Sequence, residues 1–365
     1  MKFLRKVSIF LLALTMVFMF TGIVGCGKSA TEEKSSEKAV SEKPEENKEL
    51  TLEERAKEFK GTKVNVYYAY GGWDTIVEEF KKDTDIELVG VDMSSGEALT
   101  KMQAEKDNPT MDVWFGGGDD AFRQAAGEGL LEQYESPEAS AIPDKYRDKD
   151  NYWTGVSLVV VGFSLNKNRL NELGCEAPKT WDDLTDSKWK DEIIGSNPSI
   201  SGTAYSIVSG IIEMKGEKAG WEYLEALDKN VNHYTPKGSG PGAKVVAGEF
   251  TIGLSPGPPE ESFQEGSNIS FVYPEDGTTW WPAPIALVKN GPNVEAGKIF
   301  YDWCLTEHGQ EILAKASPRT PTRPGVETPG VIKSIDQIKL LDRDFEWAGA
   351  ERERIVKEWT NRFGG

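Results

Sequence analysis

The sequence predicts an α/β protein of two lobes, each a mixed, mainly parallel sheet flanked by helices. Segments rich in β-forming residues alternate with segments of helical period, which is typical of strands joined by crossover helices. A second block of strands and helices follows the first. The chain has 365 residues, of which 38% are hydrophobic, so two domains of ordinary size can each bury a core.

The first lobe is predicted over residues 61–153. "KVNVYYAYGG", "IELVGVDM" and "MDVWFGGG" are typical of strands, and each precedes a segment with helical spacing such as "WDTIVEEFKKDT". In open parallel sheets, ligands bind beyond the carboxyl ends of the strands. Tyr70, Gly71 and Ser95 follow the first two strands, so we expect them in a binding site.

The second lobe is predicted over residues 154–278, beginning with the apolar strand pair in "YWTGVSLVVVGFSLN". Residues 279–320, a strand followed by one long amphipathic helix, are expected to return to the first lobe. Residues 321–365 end in "FEWAGAERERIVKEWTNRF", whose spacing of large apolar residues predicts a terminal helix. We expect that segment to pack on the second lobe.

The N-terminal residues 1–26 have the layout of an export signal. Lys2, Arg5 and Lys6 precede a long apolar run that ends at Cys26. "IVGC" resembles the bacterial lipobox, which implies that Cys26 is lipidated. The run is nearly long enough to span a bilayer, so an uncleaved membrane anchor stays open. Residues 27–52, mostly Glu, Lys and Ser, predict a flexible linker between this anchor and the folded domain.

Charge and cysteine content restrict the possible functions. The net charge of −18 argues against binding nucleic acid or anionic lipid by charge. Cys175 and Cys304 are expected to be separate buried thiols, since one is predicted in a loop and the other on a helix, although a disulfide between them stays open outside the cell.

The segment "NPSISGTAY" places hydroxyl groups and a glycine before an apolar helix. Ser201 or Thr203 can cap that helix, and Gly202 lets a ligand approach the backbone. A helix N-terminus offers free amide groups and a positive dipole end, so the pattern favours a bound anion. Simple capping of the helix is the alternative. Tyr205 can add a phenol donor.

Other segments repeat this arrangement or border the expected cleft. Gly117, Gly118 and Asp119 precede the helix after the third strand, and Asp119 can either cap it or bind an amine. The remaining candidates precede a helix or stand near the predicted crossing between lobes: Ser239, Gly240, Thr278 and Trp280. Trp281 is expected in the core, with an aromatic wall for an organic ligand as the alternative.

Six phrases in order, among them "IVEEFKKDTDIEL", "PKTWDDLTDSKWKDEI" and "VVAGEFTIGLS", resemble type II solute-binding proteins of bacterial ABC importers. The resemblance is closest to the branch that binds ferric ion, aminoethylphosphonate or sugar phosphates. It implies a periplasmic-binding-protein type II fold that closes over a small ligand outside the cytoplasm and delivers it to a membrane permease. It implies no enzyme activity and no cofactor, and the protein is expected to be a monomer.

Patterns that would indicate catalysis or ferric binding are incomplete. "GLSPG" matches the nucleophile pattern of hydrolases, but Pro256 lacks the amide that an oxyanion would need. His233 and His308 do not have the spacing of metal ligands. Ferric-binding members of the resembled family carry consecutive tyrosines where this sequence has "PGPPEE". Tyr67 and Tyr68 should point to opposite faces of a strand, which disfavours joint ligation.

Overall fold

The structure is a computed structural model that describes residues 50–364. The segments 1–26 and 27–49 lie outside the described residues. The predicted signal, the lipidation of Cys26 and most of the linker therefore stay predictions. Within residues 50–364, no helix has the length and hydrophobicity needed to span a bilayer.

Strands and helices alternate along most of this range. The strands are β1 (Lys63–Ala69), β2 (Glu87–Asp92), β3 (Val113–Gly116), β4 (Leu131–Glu132), β5 (Thr154–Val160), β6 (Gly162–Asn166), β7 (Ile193–Ser196), β8 (Val231–Thr235), β9 (Ile252–Ser255), β10 (Ile269–Val272), β11 (Trp280–Val288) and β12 (Thr320–Pro321). The helices are α1 (Leu52–Ala56), α2 (Trp73–Thr84), α3 (Ser95–Ala104), α4 (Asp119–Gly127), α5 (Lys167–Leu173), α6 (Gly202–Lys215), α7 (Glu217–Asp228), α8 (Gly240–Val246), α9 (Val294–Leu305), α10 (Glu307–Ala316), α11 (Phe345–Ala350) and α12 (Arg352–Phe363).

The strands form two sheets, one in each lobe. The first sheet has seven strands in the order β12-β5-β11-β3-β1-β2, with β4 pairing to β11. The second has five strands in the order β10-β6-β9-β7-β8. β1, β2 and β3 are mutually parallel at one end of the first sheet, as β7, β8 and β9 are in the second. The predicted fold class, two mixed α/β lobes, is confirmed.

The boundary between the lobes differs from the predicted one at residue 154. β5 was expected in the second lobe, but it pairs antiparallel with β11 and β12 in the first sheet. The chain crosses at Val161, whose amide donates to the carbonyl oxygen of Thr279 at 3.1 Å. "TGVSLVVVGFSLN" is one apolar run because both halves are buried, so hydrophobicity alone does not show the break.

The long helix expected after β11 is two helices, α9 and α10. Thr306 ends the first with extended backbone angles (φ −64°, ψ 159°) and caps the second, since its Oγ1 accepts a hydrogen bond from the amide of Gly309 at 2.9 Å. A threonine at such a position satisfies an amide that the new helix would leave free. The helical spacing continues across the break, which hides it from a periodicity argument.

The C-terminal segment contacts both lobes rather than the second lobe alone. α11 packs on α4 of the first lobe, and α12 contacts α6 of the second. Arg352 at the start of α12 pairs with Asp120 at 2.6 Å, and both side chains are buried. Cys175 and Cys304 are both free, as predicted, but only Cys304 is buried, because Cys175 lies partly exposed just after α5.

Candidate functional site

A cleft lies between the lobes, where the carboxyl ends of parallel strands in the two sheets face each other. It holds a cavity of about 240 Å³. Helices α2, α3 and α4 begin on its first-lobe side, and α6 begins on its second-lobe side. Because each of these helices presents its N-terminus to the cavity, their amide groups and dipoles favour negative charge there. The wall consists of Tyr68, Ala69, Tyr70, Gly71, Asp92, Met93, Ser94, Ser95, Gly117, Gly118, Val159, Ser201, Gly202, Thr203, Lys237, Gly238, Ser239, Pro256, Trp281 and Arg319.

The start of α6 presents two hydroxyl groups with different environments. The Oγ of Ser201 accepts hydrogen bonds from the amide of Ala204 and from the Oγ of Ser196, both at 3.2 Å. Thr203 lines the cavity, and its hydroxyl has no hydrogen-bond partner among residues 50–364. Ser201 therefore caps the helix, whereas the Thr203 hydroxyl forms no hydrogen bond within the described residues and lies on the cavity wall.

The first lobe meets α6 through small residues. Ser95 Oγ accepts a hydrogen bond from the amide of Gly118 at 2.7 Å. A Cβ atom on Gly202 would lie 2.7 Å from the Cα of Gly118 and 3.0 Å from Ser95 Oγ. Since real Cβ atoms do not come this close to backbone, glycine at position 202 is needed for the two lobes to touch here.

Direct bonds between the lobes show that the cleft is closed. The amide of Gly96 donates to the carbonyl oxygen of Ile200 at 2.9 Å, and Ser94 Oγ donates to the carbonyl oxygen of Pro236 at 3.3 Å. Lys237 Nζ pairs with Asp92 Oδ2 at 2.6 Å across the cleft mouth. Both of those side chains are about half exposed, so this pair alone contributes little to holding the lobes together.

Aromatic groups form the wall near the crossing strands. Tyr70 is buried, its hydroxyl donates to Ser157 Oγ at 3.0 Å, and burial raises its pKa. Trp281 lines the cavity while being only 2% exposed, and its Nε1 donates to the carbonyl oxygen of Gly117 at 2.7 Å. Trp281 is therefore both a core residue and part of the cavity wall, two positions that were considered as alternatives.

Arg319 brings a positive charge to the same part of the cleft. Its guanidinium carbon lies 4.5 Å from the centre of the Tyr70 ring, a cation–π contact. Burial lowers the pKa of Arg319, and its Nη1 is buried without a hydrogen-bond partner within residues 50–364. This residue was not identified from the sequence, because it lies in the short connection between α10 and β12 with no motif around it.

The predicted site residues divide into two groups. The structure brings together on the cavity wall Tyr70, Gly71, Ser95, Gly117, Gly118, Ser201, Gly202, Thr203 and Ser239. The wall does not include Asp119, Tyr205, Gly240, Thr278 or Trp280. Ligand contact stays a prediction for the first group.

The second group is engaged elsewhere in the fold. Asp119 pairs with Arg123 at 3.1 Å, and burial raises its pKa to about 6. Tyr205 donates its hydroxyl to the carbonyl oxygen of Ala348. Thr278 donates to Val161 at 2.8 Å and Trp280 to Leu341 at 2.9 Å, in both cases to a carbonyl oxygen. These polar groups are satisfied by backbone or side-chain partners, so they are not free for a ligand.

The hydrolase-like serine has no catalytic surroundings. Ser255 is buried, and its Oγ accepts from Ser164 Oγ at 2.9 Å. Within the described residues, His233 bonds to Asn232 and His308 to Asp83, so neither histidine is arranged as its base. No group of three or more His, Cys, Asp or Glu side chains in residues 50–364 could hold a metal ion.

A closed two-lobed α/β fold with a polar cleft between the lobes defines a receptor for a small solute. Over residues 108–350 the chain matches the family described as bacterial extracellular solute-binding protein. The chain belongs to this family, and it is therefore an extracytoplasmic solute receptor of an ABC importer.

Individual relatives agree with this assignment. A Haemophilus influenzae protein without a functional name is 33% identical over 299 residues, covering 79% of this chain and 86% of that protein. The structure of the periplasmic binding protein AfuA from Actinobacillus pleuropneumoniae, with fructose-6-phosphate bound, is 30% identical with a TM-score of 0.79 and covers 83% of this chain and 99% of AfuA. A putative 2-aminoethylphosphonate-binding periplasmic protein of Salmonella typhimurium is 25% identical over 258 residues, which are 68% of this chain and 73% of that protein.

Proposed function

We propose that the cleft captures a small organic anion, a phosphorylated metabolite or a phosphonate, for delivery to an ABC permease. The observation that carries the proposal is the Thr203 hydroxyl at the start of α6, which lines the cavity without a protein partner in residues 50–364, although the Ser201 cap takes the Ala204 amide of the same helix end. A phosphoryl or phosphonyl group can accept hydrogen bonds from that hydroxyl and from free backbone amides. The ligands of AfuA and of the Salmonella relative both carry such a group.

The size and polarity of the cleft agree with a metabolite. A cavity of about 240 Å³ is at the small end for ligand pockets. Polar groups from both lobes meet there with the aromatic faces of Tyr68 and Trp281. A sugar or short carbon chain can lie against those rings while its charged group reaches α6.

Ferric ion, the alternative ligand of this family branch, finds less support. Tyr67 and Tyr68 point to opposite faces of β1: Tyr67 donates to Glu105 at 3.1 Å, whereas Tyr68 lines the cleft. Burial raises the pKa of Tyr68, which opposes formation of a tyrosinate. Glu260 and Glu261, the acidic residues of "PGPPEE" that could bind a cation, are not on the cavity wall. Hard anionic oxygens are therefore scarce where ferric ion would have to bind.

A thermal-shift titration tests the proposal. The purified mature protein is titrated with fructose 6-phosphate, 2-aminoethylphosphonate, ferric citrate and, as the matched control, fructose. A ligand that binds only the folded state raises the melting temperature by mass action. We expect a rise with at least one phosphorylated or phosphonate compound and none with fructose. Stabilisation by ferric citrate but not by sodium citrate would contradict the proposal and favour the ferric alternative.

We further propose that Cys26 is the lipidated N-terminus, joined to the domain by the linker at 27–52. The motif and the position of the cysteine after the apolar run support this anchor. Mass spectrometry of the membrane-extracted protein should find acyl groups on Cys26 as the first residue. Residues before Cys26 in the mature protein would contradict the anchor while leaving the proposed ligand class unaffected.

A further inference from the structure

Arg319 differs from Arg343 and Arg352 in having no acidic partner. Arg352 pairs with Asp120 at 2.6 Å, and Arg343 pairs with Glu213. No carboxylate in residues 50–364 forms a salt bridge with Arg319. Because its pKa is lowered by burial and its Nη1 is buried without a partner, the fold keeps an uncompensated cation at the wall of the cleft.

Nothing else on the cavity wall neutralises this charge. The other ionisable groups that carry charge there are Asp92 and Lys237, which pair with each other. Tyr70 is neutral, since burial raises its pKa, so its ring face and its hydroxyl oxygen can contact the guanidinium without supplying a counter-charge. Arg319 is partly exposed, but its Nη1 is buried, and desolvation of that part of the guanidinium is not offset by a counter-charge in the ligand-free protein. An anion that entered the cleft would supply that counter-charge.

We propose that Arg319 is the counter-charge for the anionic group of the solute, and that it selects anionic ligands over neutral ones of the same shape. The inference rests on the proposed function and names the residue that sets its charge selectivity. A guanidinium is a planar fork that can donate two parallel hydrogen bonds to a phosphoryl, phosphonyl or carboxylate group. It approaches the cavity from the segment between α10 and β12, so it contacts the ligand from the side of the crossing strands.

A purely structural role for Arg319 predicts a different outcome. If its cation–π contact with Tyr70 serves only to hold the segment between α10 and β12, its removal should weaken folding and leave binding intact. If Arg319 binds the anion, its removal should not destabilise the ligand-free protein, because an unpaired charge is lost, but it should weaken binding. Arg323, just after β12, is a suitable control because it is paired, with Glu138 at 2.9 Å and with the carbonyl oxygen of Leu305 at 2.7 Å.

The test compares wild type with Arg319→Gln, Arg319→Lys and Arg323→Gln. Each mature protein is titrated by calorimetry with fructose 6-phosphate and with sodium citrate, and each is unfolded with urea in the absence of both. We expect Arg319→Gln to lose about ten- to hundredfold in affinity, the range for a hydrogen bond to a charged group. Its urea midpoint should equal or exceed that of wild type. Arg319→Lys should retain part of the affinity, and Arg323→Gln should bind as wild type does while unfolding more easily.

The outcomes separate this inference from the proposed function. Wild-type affinity for fructose 6-phosphate in Arg319→Gln would overturn the role of Arg319 and leave the proposed ligand class standing. Binding of citrate alone, lost in Arg319→Gln, would support Arg319 as the anion selector and contradict a phosphoryl ligand. Failure of wild type to bind fructose 6-phosphate, citrate and also the 2-aminoethylphosphonate of the thermal-shift titration would overturn both.

Discussion

The substitutions Ser201→Ala and Thr203→Val should separate helix capping from ligand contact at the start of α6. Ser201 Oγ accepts the hydrogen bond from the Ala204 amide, so its loss exposes an unsatisfied helix end. The Thr203 hydroxyl bonds to nothing within residues 50–364 and lines the cavity. Valine retains the shape of threonine and replaces only the hydroxyl.

Ser201→Ala should mainly lower the free energy of unfolding, whereas Thr203→Val should mainly lower the affinity for the ligand. Ser201→Ala should lower the free energy of unfolding of the ligand-free protein by about 0.5–2 kcal/mol, the usual cost of removing a cap. Thr203→Val should change that free energy by less than about 0.5 kcal/mol, since no hydrogen bond in the described fold is lost. Its affinity for a phosphorylated ligand should fall by about 1.5–3 kcal/mol, or roughly ten- to more than a hundredfold.

Urea unfolding of the ligand-free variants gives the first quantity, and calorimetric titration with the compound that stabilises wild type gives the second. Thr203→Ser is the matched control, because it keeps the hydroxyl and should keep most of the affinity. The reasoning is refuted if Thr203→Val binds as tightly as wild type, or if it is destabilised as much as Ser201→Ala.

Two further perturbations test closure and charge. Gly202→Ala should hinder closure because its Cβ would overlap Gly118 of the other lobe, whereas the control Gly127→Ala meets no atom within 4 Å. We expect about a tenfold loss of affinity and a larger radius of gyration by X-ray scattering for the first variant only. Asp119 has a folded pKa of about 6 against 3.8 when free, so the folded state binds more protons between these values. The free energy of unfolding should therefore fall as pH rises from 4 to 6, by roughly 3 kcal/mol at most from this group, and Asp119→Asn should remove that part of the slope. An unchanged pH dependence in Asp119→Asn would contradict the raised pKa.

The general architecture and much of the cleft could be predicted from local sequence. Alternation of strands and helices identifies the carboxyl ends of the strands, and the loops there supply Tyr70, Ser95 and Gly118. The start of α6 is recognisable because hydroxyl groups and a glycine before an apolar run indicate a helix cap, an anion site or both, and the fold places Ser201 as the cap and Thr203 on the cavity wall. These signals are local, so they do not depend on knowing how the lobes are placed.

Residues whose role depends on distant contacts could not be predicted in this way. Arg319 follows α10 in an irregular segment, and only the return of that segment to the first sheet brings it to Tyr70. Asp119 has the residue type and position of a ligand group at a helix start. In the fold, however, it is buried and its carboxylate pairs with Arg123. A sequence pattern specifies which groups are available, whereas the fold decides which of them remain unpaired.

The C-terminal segment extends this argument from single residues to the motion of the lobes. It is attached to the first lobe by the buried pair of Arg352 with Asp120, and to the second by Arg343, which pairs with Glu213 and donates to Ser209 at 2.9 Å. Breaking either attachment would leave a buried charge without its partner, which costs about 3–5 kcal/mol. The ion pair across the cleft mouth, Lys237 with Asp92, is by contrast half exposed, so separating it costs little. We therefore expect the lobes to open by separating at the mouth and rotating about the side where this segment and the crossing strands lie.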